Sequence, residues 1–318
     1  MTKLQDLVLV AGHAAFKSSV SEVPENAEPD AYWVLQQFQI GEPPFYLEHI
    51  RRGVVLAANN PVALLVFSGG RTRYDAGQWS EVGTYHAIAA SRRWWIPDSM
   101  QSKRDDVANR TTVEDFARDS FENLLFGICR FQRVAGSYPR IVTVVSWAFK
   151  AARFDLHRGA IAFPKVRFNF VGVNEPIDLE SALRGEKMAI RSFIEHPFGT
   201  SGDLAKKRAS RNPFGQEHGY RQCPGLKSIF DFMDDSANAA TAYAGPVPWH
   251  EGTCAVCGGT GRMACSECNE SGHVTHDLCR GTGSHLLDPG DCYGCQGTGW
   301  VVCPKCGGHK TVACECVS

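Results

Sequence analysis

The sequence predicts a doubly wound, mostly parallel α/β sheet followed by a small cysteine-rich hairpin ribbon. Strand-length apolar runs alternate with amphipathic segments through most of the chain, the pattern of a parallel sheet covered by helices on both faces. Cysteine is concentrated at one end: eleven of thirteen lie between Cys254 and Cys316, leaving only Cys129 and Cys223 upstream. Between the two regions DDSANAATAYAGPVPWHEG (234–252) is small, polar and Pro/Gly-bearing, the composition of a linker. The expected organisation is an α/β domain over 1–233, a linker over 234–252 and a cysteine-rich domain over 253–318.

The elements read in order as follows. LVLVAG (7–12) is a first apolar strand. FYLEHIRRGVVLAANN (45–60) reads as a helix and VALLVFSGG (62–70) as a second strand running into a glycine turn. SEVGTYHAIAA (80–90) is a helix capped by Ser80. A long helix is expected over 111–132, with Thr111–Glu114 as a capping box and Ala117, Phe121, Leu124, Ile128 and Phe131 as its buried stripe. IVTVVSW (141–147) and VRFNFVGV (166–173) are further strands, separated by a helical FKAARFDLHRGAI. Parallel strands with helical crossovers make the sheet Rossmann-like.

Ligands of such sheets bind beyond the carboxyl ends of the strands, which selects the residues that follow each one. These are Gly12 and His13 after the first strand, and Ser68, Gly69, Gly70, Arg71 and the helix-starting Glu81 after the second. Lys150 and Arg153 follow the strand at 141–147. Ser-Gly-Gly permits close backbone approach to an anion, and the cations can hold phosphate or carboxylate. A Gly-Gly turn is equally compatible with a tight strand–helix connection. The basic run Lys206, Lys207, Arg208 and Arg211 reads as a solvated helix face. No P-loop, G-x-G-x-x-G, G-x-S-x-G or His-Glu-x-x-His motif is present.

In the tail, knuckles begin at Cys254, Cys265, His276, Cys292, Cys303 and Cys314: two blocks of three, separated by a DPGD turn. Folded as one antiparallel ribbon they mirror one another. Cys257 with Cys314, Cys265 with Cys306, Cys268 with Cys303, His276 with Cys295 and Cys279 with Cys292 all share the same sum of residue numbers. Cys254 with Cys316 is one short, because the last knuckle is Cys-x-Cys. This predicts three four-ligand sites: Cys254/Cys257/Cys314/Cys316, Cys265/Cys268/Cys303/Cys306 and His276/Cys279/Cys292/Cys295. Tetrahedral thiolate coordination, with one imidazole, suits zinc, so about three structural zinc ions are expected. An isolated hairpin of this size cannot hold itself by burial, and zinc binding supplies the folding energy. His273 and His285 fall off this register and read as surface residues.

Charge narrows the partners. The whole chain has a formal charge of −1, which gives no general attraction to nucleic acid or anionic lipid. The tail's side chains carry Arg262, Arg280, Lys305 and Lys310 against Glu267, Glu270, Asp277, Asp288, Asp291 and Glu315, before its thiolates are counted. Such a surface repels phosphate, so nucleic acid is disfavoured as a partner. No apolar run is long enough for a membrane span, and Asp6 interrupts the apolar start where a signal peptide's core would begin. Cys-x-x-Cys knuckles point to metal in the cytoplasm or another reducing compartment.

Two resemblances add to these readings. LLVFSGGRTRYDAGQWSEVGTYHAIA, EDFARDSFENLLFGICRF and IVTVVSWAFKAARFDLHRGAI resemble the motifs of the family called domain of unknown function 218. RNPFGQEHGYRQCPGLKSIF is similar to the ending of its eukaryotic, largely fungal, branch. By position, the resemblance implies a polar cluster of Gly69, Gly70, Arg71, Glu81, Glu122, Asn123, Lys150, Arg153 and His157, but no reaction or substrate. The tail resembles the cysteine-rich domain of DnaJ-type chaperones, which repeats CxxCxGxG; it departs in having six units, a histidine in the third and a shortened sixth. That resemblance implies binding of client polypeptides or a partner protein, and a purely structural clasp fits equally. The J domain's His-Pro-Asp signature is absent.

The expected function is therefore binding of a small anionic, nucleotide-like ligand by the α/β domain, with catalysis left open. Glu81 and Glu122 would do acid–base or ligand-hydroxyl work. Gly12, Ser68, Gly69, Gly70, Arg71, Asn123, Lys150 and Arg153 would form the ligand site. The alternative is a chaperone-like scaffold whose zinc ribbon engages polypeptide.

Overall fold

The computed structural model describes residues 3–17, 23–77, 79–241 and 243–250, with 262–264, 271, 273–275, 300–302 and 311–313 of the tail. The chain divides into two compact units, Met1–Trp249 and His250–Ser318.

In unit one, strands β1 (Asp6–Ala11), β4 (Ala63–Ser68), β5 (Thr111–Glu114), β6 (Ile141–Ser146) and β7 (Phe168–Gly172) form one sheet. Its order is β5-β4-β1-β6-β7, and every pairing is parallel. A two-stranded antiparallel ribbon, β2 (Ala15–Phe16) with β3 (Trp33–Val34), lies in the loop that leaves β1. From β1 the chain steps outward to β4 and β5, then returns to lay β6 on the opposite side of β1. The carboxyl ends of β1 and β6 therefore flank the point where strand order reverses, where open α/β sheets hold ligands.

Side-chain alternation assigns the two faces. Leu7, Leu9, Leu64, Val66, Val142 and Val144 pack with Phe121, Leu124 and Phe131 of α4 (Ser120–Ala135) and Phe154 of α5 (Ala151–Ala160). Val8, Val10, Leu65, Phe67 and Val145 pack on the other side. Their partners are Ile50 and Val54 of α1 (Pro43–Asn59), Val82 and Ile88 of α2 (Glu81–Ser91) and Val107 of α3 (Gln101–Asn109). The first helix starts on Pro43 and Pro44, tolerated there because the first-turn amides need no intrahelical acceptor. The second is capped as expected, with Ser80 Oγ accepting from the Gly83 amide. Three further helices, α6 (Leu179–Glu195), α7 (Gly202–Ser210) and α8 (Lys227–Asp234), complete this unit's helical layer.

The expected helix over 111–132 is corrected at its start. Thr111–Glu114 is the edge strand β5, and the helix begins at Ser120. The β-branched Thr111, Thr112 and Val113 suit a strand. Instead of capping a helix, the Glu114 carboxylate turns back to accept the amides of Phe116 (2.9 Å) and Ala117 (3.3 Å). The real cap is Asp119, which accepts from the Glu122 amide. The apolar stripe itself holds: Phe121, Leu124, Ile128 and Phe131 are all buried.

The expected linker is corrected in its second half. Tyr243, Val247 and Trp249 are buried in the same core as α4 and α8. The Trp249 indole donates to the Ile161 carbonyl (3.1 Å), and Arg167 donates to the Trp249 carbonyl (2.7 Å). Three large apolar side chains in a short polar stretch were signal enough for this, and composition alone masked them.

In unit two, β8 (Arg262–Ala264) pairs antiparallel with β11 (Thr311–Ala313), and β9 (His273–Thr275) pairs antiparallel with β10 (Trp300–Val302). Both pairs share one sum of residue numbers, so one register runs through both, but that sum is four larger than the one the expected zinc-ligand pairing uses. His273 is exposed. All twelve expected zinc ligands, Cys254 to Cys316 with His276, lie outside the described residues.

Candidate functional site

At the carboxyl edge, Ser68, Gly69 and Gly70 are committed to the fold. The Ser68 hydroxyl donates to Glu114 Oε2 (2.8 Å) and meets Asn123 Oδ1 at 3.0 Å. The Gly69 amide donates to the Glu114 carbonyl (2.9 Å), and the Gly70 amide to the Ala117 carbonyl (2.6 Å). These amides are not free to cradle an anion, so the expected backbone site at Ser68–Gly70 does not form. The glycines serve close approach instead. A Cβ on Gly70 would stand 2.7 Å from the Ala117 carbonyl oxygen, and one on Gly12 would stand 2.9 Å from Glu81 Oε2.

Glu81 is thereby seated between the ends of β1 and β4. Its Oε1 accepts the Thr72 hydroxyl at 2.6 Å. Burial raises its pKa, against the Thr72 hydrogen bond and the charges of Arg211 and Lys150. Glu122, expected beside it as a second acid–base group, is placed differently. Its carboxylate takes the Arg118 amide (2.8 Å) and the Arg118 guanidinium at both oxygens (2.9 and 2.5 Å), with Arg208 at 3.6 Å. Both oxygens are occupied, so Glu122 closes a buried ion network. Asn123 likewise holds Ser68.

Of the expected cations, Lys150 and Arg153 lie within electrostatic reach of one another, with Arg211 joining them. Lys150 has no hydrogen-bond or ion-pair partner among the described residues. Burial, then the charge of Arg153, brings its pKa down to about 7, with Glu186 and Glu42 pulling the other way. Arg153 makes one ion pair, Nη2 to Glu186 Oε2 at 2.9 Å, while its Nε and the other Glu186 oxygen are buried without partners. Arg71 Nε and the Ser146 hydroxyl, at the ends of β4 and β6, are also buried and unpartnered. From α7 and the residue after it, the basic run divides. Arg208 is buried on Asp119 (2.6 Å) and Lys206 meets Asp203 (3.0 Å). Arg211 donates to the Arg118 carbonyl (2.9 Å) and makes no ion pair among the described residues.

Sequence reasoning missed three residues here. Glu114 is wholly buried, and burial pushes its pKa up to about 7 while Ser68 and the Phe116 amide oppose the shift. Its signal, an acidic residue ending a strand, was read as a helix cap. His49, on α1, is buried and bonded at both ring nitrogens: Nδ1 meets His13 Nε2 at 3.1 Å, and Nε2 meets the Val173 carbonyl at 2.9 Å. Glu42 accepts from the Tyr46 hydroxyl (2.7 Å). His157, implied by resemblance, is buried among Phe121, Phe154 and Phe193, with Nε2 on Ser120 (2.8 Å); it belongs to the core.

A separate cavity of about 450 Å³ lies beside β2 and β3, lined by Lys17, Asp30, Trp33, Ile40 and Asp75 among others. None of the expected ligand-site residues lines it. Among the described residues, no helix is long and apolar enough to cross a membrane.

The chain is similar to an uncharacterized protein of Saccharomyces cerevisiae, 26% identical over 303 residues that cover 78% of this chain and 98% of the relative. No protein-family model matches the chain. No solved structure matches it.

Proposed function

We propose that unit one binds a small anionic, nucleotide-like ligand in the crevice between the carboxyl ends of β1 and β6. One observation carries the reading: Lys150 lies there without a counter-ion among the described residues, within electrostatic reach of Arg153, whose Nε is buried and unpartnered. Desolvating a cation without a partner is costly, and a bound anion would offset that cost at Lys150 and accept from the free Nε of Arg153. In this reading Lys150, Arg71 and Arg153 hold the anion and Glu81 meets a hydroxyl. Gly12 and Gly69 make room for Glu81. The motif strings that resemble domain of unknown function 218 fall on the same strand ends and support a shared site.

The tail, in the same reading, is a DnaJ-like zinc ribbon with a structural or protein-binding role. Its support is the common register of the two strand pairs. The intervals they bracket, 265–272 and 303–310, are equal in length and each begins with Cys-x-x-Cys.

Calorimetric titration of the full chain with inorganic phosphate, AMP and ADP tests the crevice, alongside native mass spectrometry for a co-purified anion. Binding that is lost in Lys150→Met supports it. Absence of binding by all three overturns it.

A further inference from the structure

The carbonyl of Val173 fixes more than the position of His49. A carbonyl oxygen only accepts, so His49 Nε2, 2.9 Å away, carries a proton. His49 is buried, and desolvation brings its pKa down to about 4, so near neutral pH its Nδ1 is bare. The 3.1 Å contact from that nitrogen to His13 Nε2 then has one polarity: His13 Nε2–H donates and His49 Nδ1 accepts. His13 is itself kept neutral, by burial and then by the charges of Lys150, His49 and Arg153. Its own Nδ1 is left unprotonated and has no partner among the described residues. The ring is further held by Tyr46 and Trp147, at centroid distances of 5.4 and 5.9 Å.

His13 follows Gly12 directly, on the strand end against which Glu81 is packed. A site built for a bare anion would show it donors only. This one sets an imidazole lone pair and a carboxylate among Lys150, Arg153 and Arg211. The tautomer of His13 is set by the partner on its other ring nitrogen, His49.

We propose that His13 is a ligand-contacting hydrogen-bond acceptor, held in that role by His49 as positioning residue, and that the ligand is an oxyanion bearing an O–H donor. This rests on the anion reading of the same crevice and deepens it. Two anions of similar size and shape separate the cases: inorganic phosphate near neutral pH keeps a hydroxyl, whereas sulfate presents acceptors alone.

The test is calorimetric titration of the full chain with phosphate and with sulfate, in wild type, His13→Phe and His49→Phe. Ring-¹⁵N histidine spectra of the wild type accompany it. Wild type is expected to bind phosphate at least about tenfold more tightly than sulfate, the scale of one acceptor left facing another. Both variants should lose most of that preference, His49→Phe by letting His13 populate the other tautomer. The spectra should show His13 protonated at Nε2 and bare at Nδ1. Equal binding of the two anions, a preference unchanged in His13→Phe, or a wild-type His13 protonated at Nδ1 each overturns the inference while leaving the anion site standing. If neither anion binds, this inference falls, and the anion reading falls as well only where AMP and ADP also fail to bind. Should His13→Phe fail to fold, the wild-type spectra and the anion ratio still decide.

Discussion

The carboxylate of Glu81 occupies the space that a side chain on Gly69 would need: a Cβ there would stand 2.9 Å from Oε2 and 3.4 Å from the Glu81 Cβ. The same oxygen bars a side chain on Gly12. Two glycines on adjacent strands are thus the mould in which one acid is set, and their absent side chains are read from Glu81 rather than from a ligand.

Gly69→Ala should therefore displace Glu81 and cost stability of about 1–3 kcal/mol, the range for overpacking. Gly70→Ala should cost more. Its obstacle is the Ala117 carbonyl at 2.7 Å, which is backbone and cannot rotate away. Urea denaturation of the two variants checks the order; equal, negligible effects would show that the turn has slack.

Lys150→Met should raise stability while abolishing phosphate binding. The ammonium's pKa is down to about 7 from an ordinary 10.5, so the unfolded chain holds that proton more tightly than the folded one. Stability is then lost as pH falls from 10.5 towards 7, on the order of 2–4 kcal/mol. Methionine keeps the stem's packing and removes the charge. A urea midpoint that rises, and depends less on pH between 7 and 10, is the expected result. Trading stability for a binding site is common in functional crevices.

Two buried groups should give opposite slopes below neutrality. Glu114 keeps its proton to about pH 7 when folded but only to an ordinary 4.5 when unfolded. Stability should fall as pH rises through that window, by roughly 3 kcal/mol, and Glu114→Gln should remove the effect. His157 is held neutral by burial down to about pH 3, against an ordinary 6.5. Its contribution is full above 6.5 and lost as pH falls towards 3, by on the order of 4 kcal/mol, and His157→Phe should flatten that acid limb. Denaturation midpoints of both variants across pH 3–8 separate the two.

Much of this was legible in the sequence, and the failures at the candidate site share a pattern. Strands β1, β4 and β6 announce themselves because a parallel sheet buried on both faces needs continuous apolar runs. Strand ends could then be read for Arg71, Glu81, Lys150 and Arg153. What stayed hidden depends on which partner each group meets, near or far along the chain. Glu114 reads as a cap until Ser68 and Tyr220 are seen to donate to it (2.8 and 3.3 Å). Glu122 reads as a free acid until Arg118 and Arg208 are placed on it. His49 carries no motif; its meaning comes from His13 and Val173, which only the strand order brings beside it.

A chain ending at residue 235 should be markedly less stable than one ending at 249. The shorter form loses Tyr243, Val247 and Trp249, each buried in the core, and opens that core to water. Burying one such side chain is worth about 1.5–3 kcal/mol, so several kcal/mol should separate the two by urea denaturation. Equal stability would restore 234–252 as a linker throughout.

Elemental analysis of the reduced, zinc-replete chain should give about three zinc ions, none needed for turnover. Six knuckles paired across one hairpin make three closed, four-ligand sites, which leave no position for a reactive water. The strands that are described share one antiparallel register: β8 with β11 and β9 with β10 keep it on either side of the intervals 265–272 and 303–310. The proposed ligand pairing has a sum four smaller than this strand register, so Cys265 and Cys268 would meet Cys303 and Cys306 across an offset of four residues. His276 is the one non-cysteine in the series. Imidazole is an accepted fourth ligand beside three thiolates, so His276→Ala should release one zinc and keep two, whereas His276→Cys should keep all three. Two or fewer metals in the wild type would defeat the three-site ladder. Three metals retained in His276→Ala would show that the imidazole is not a ligand.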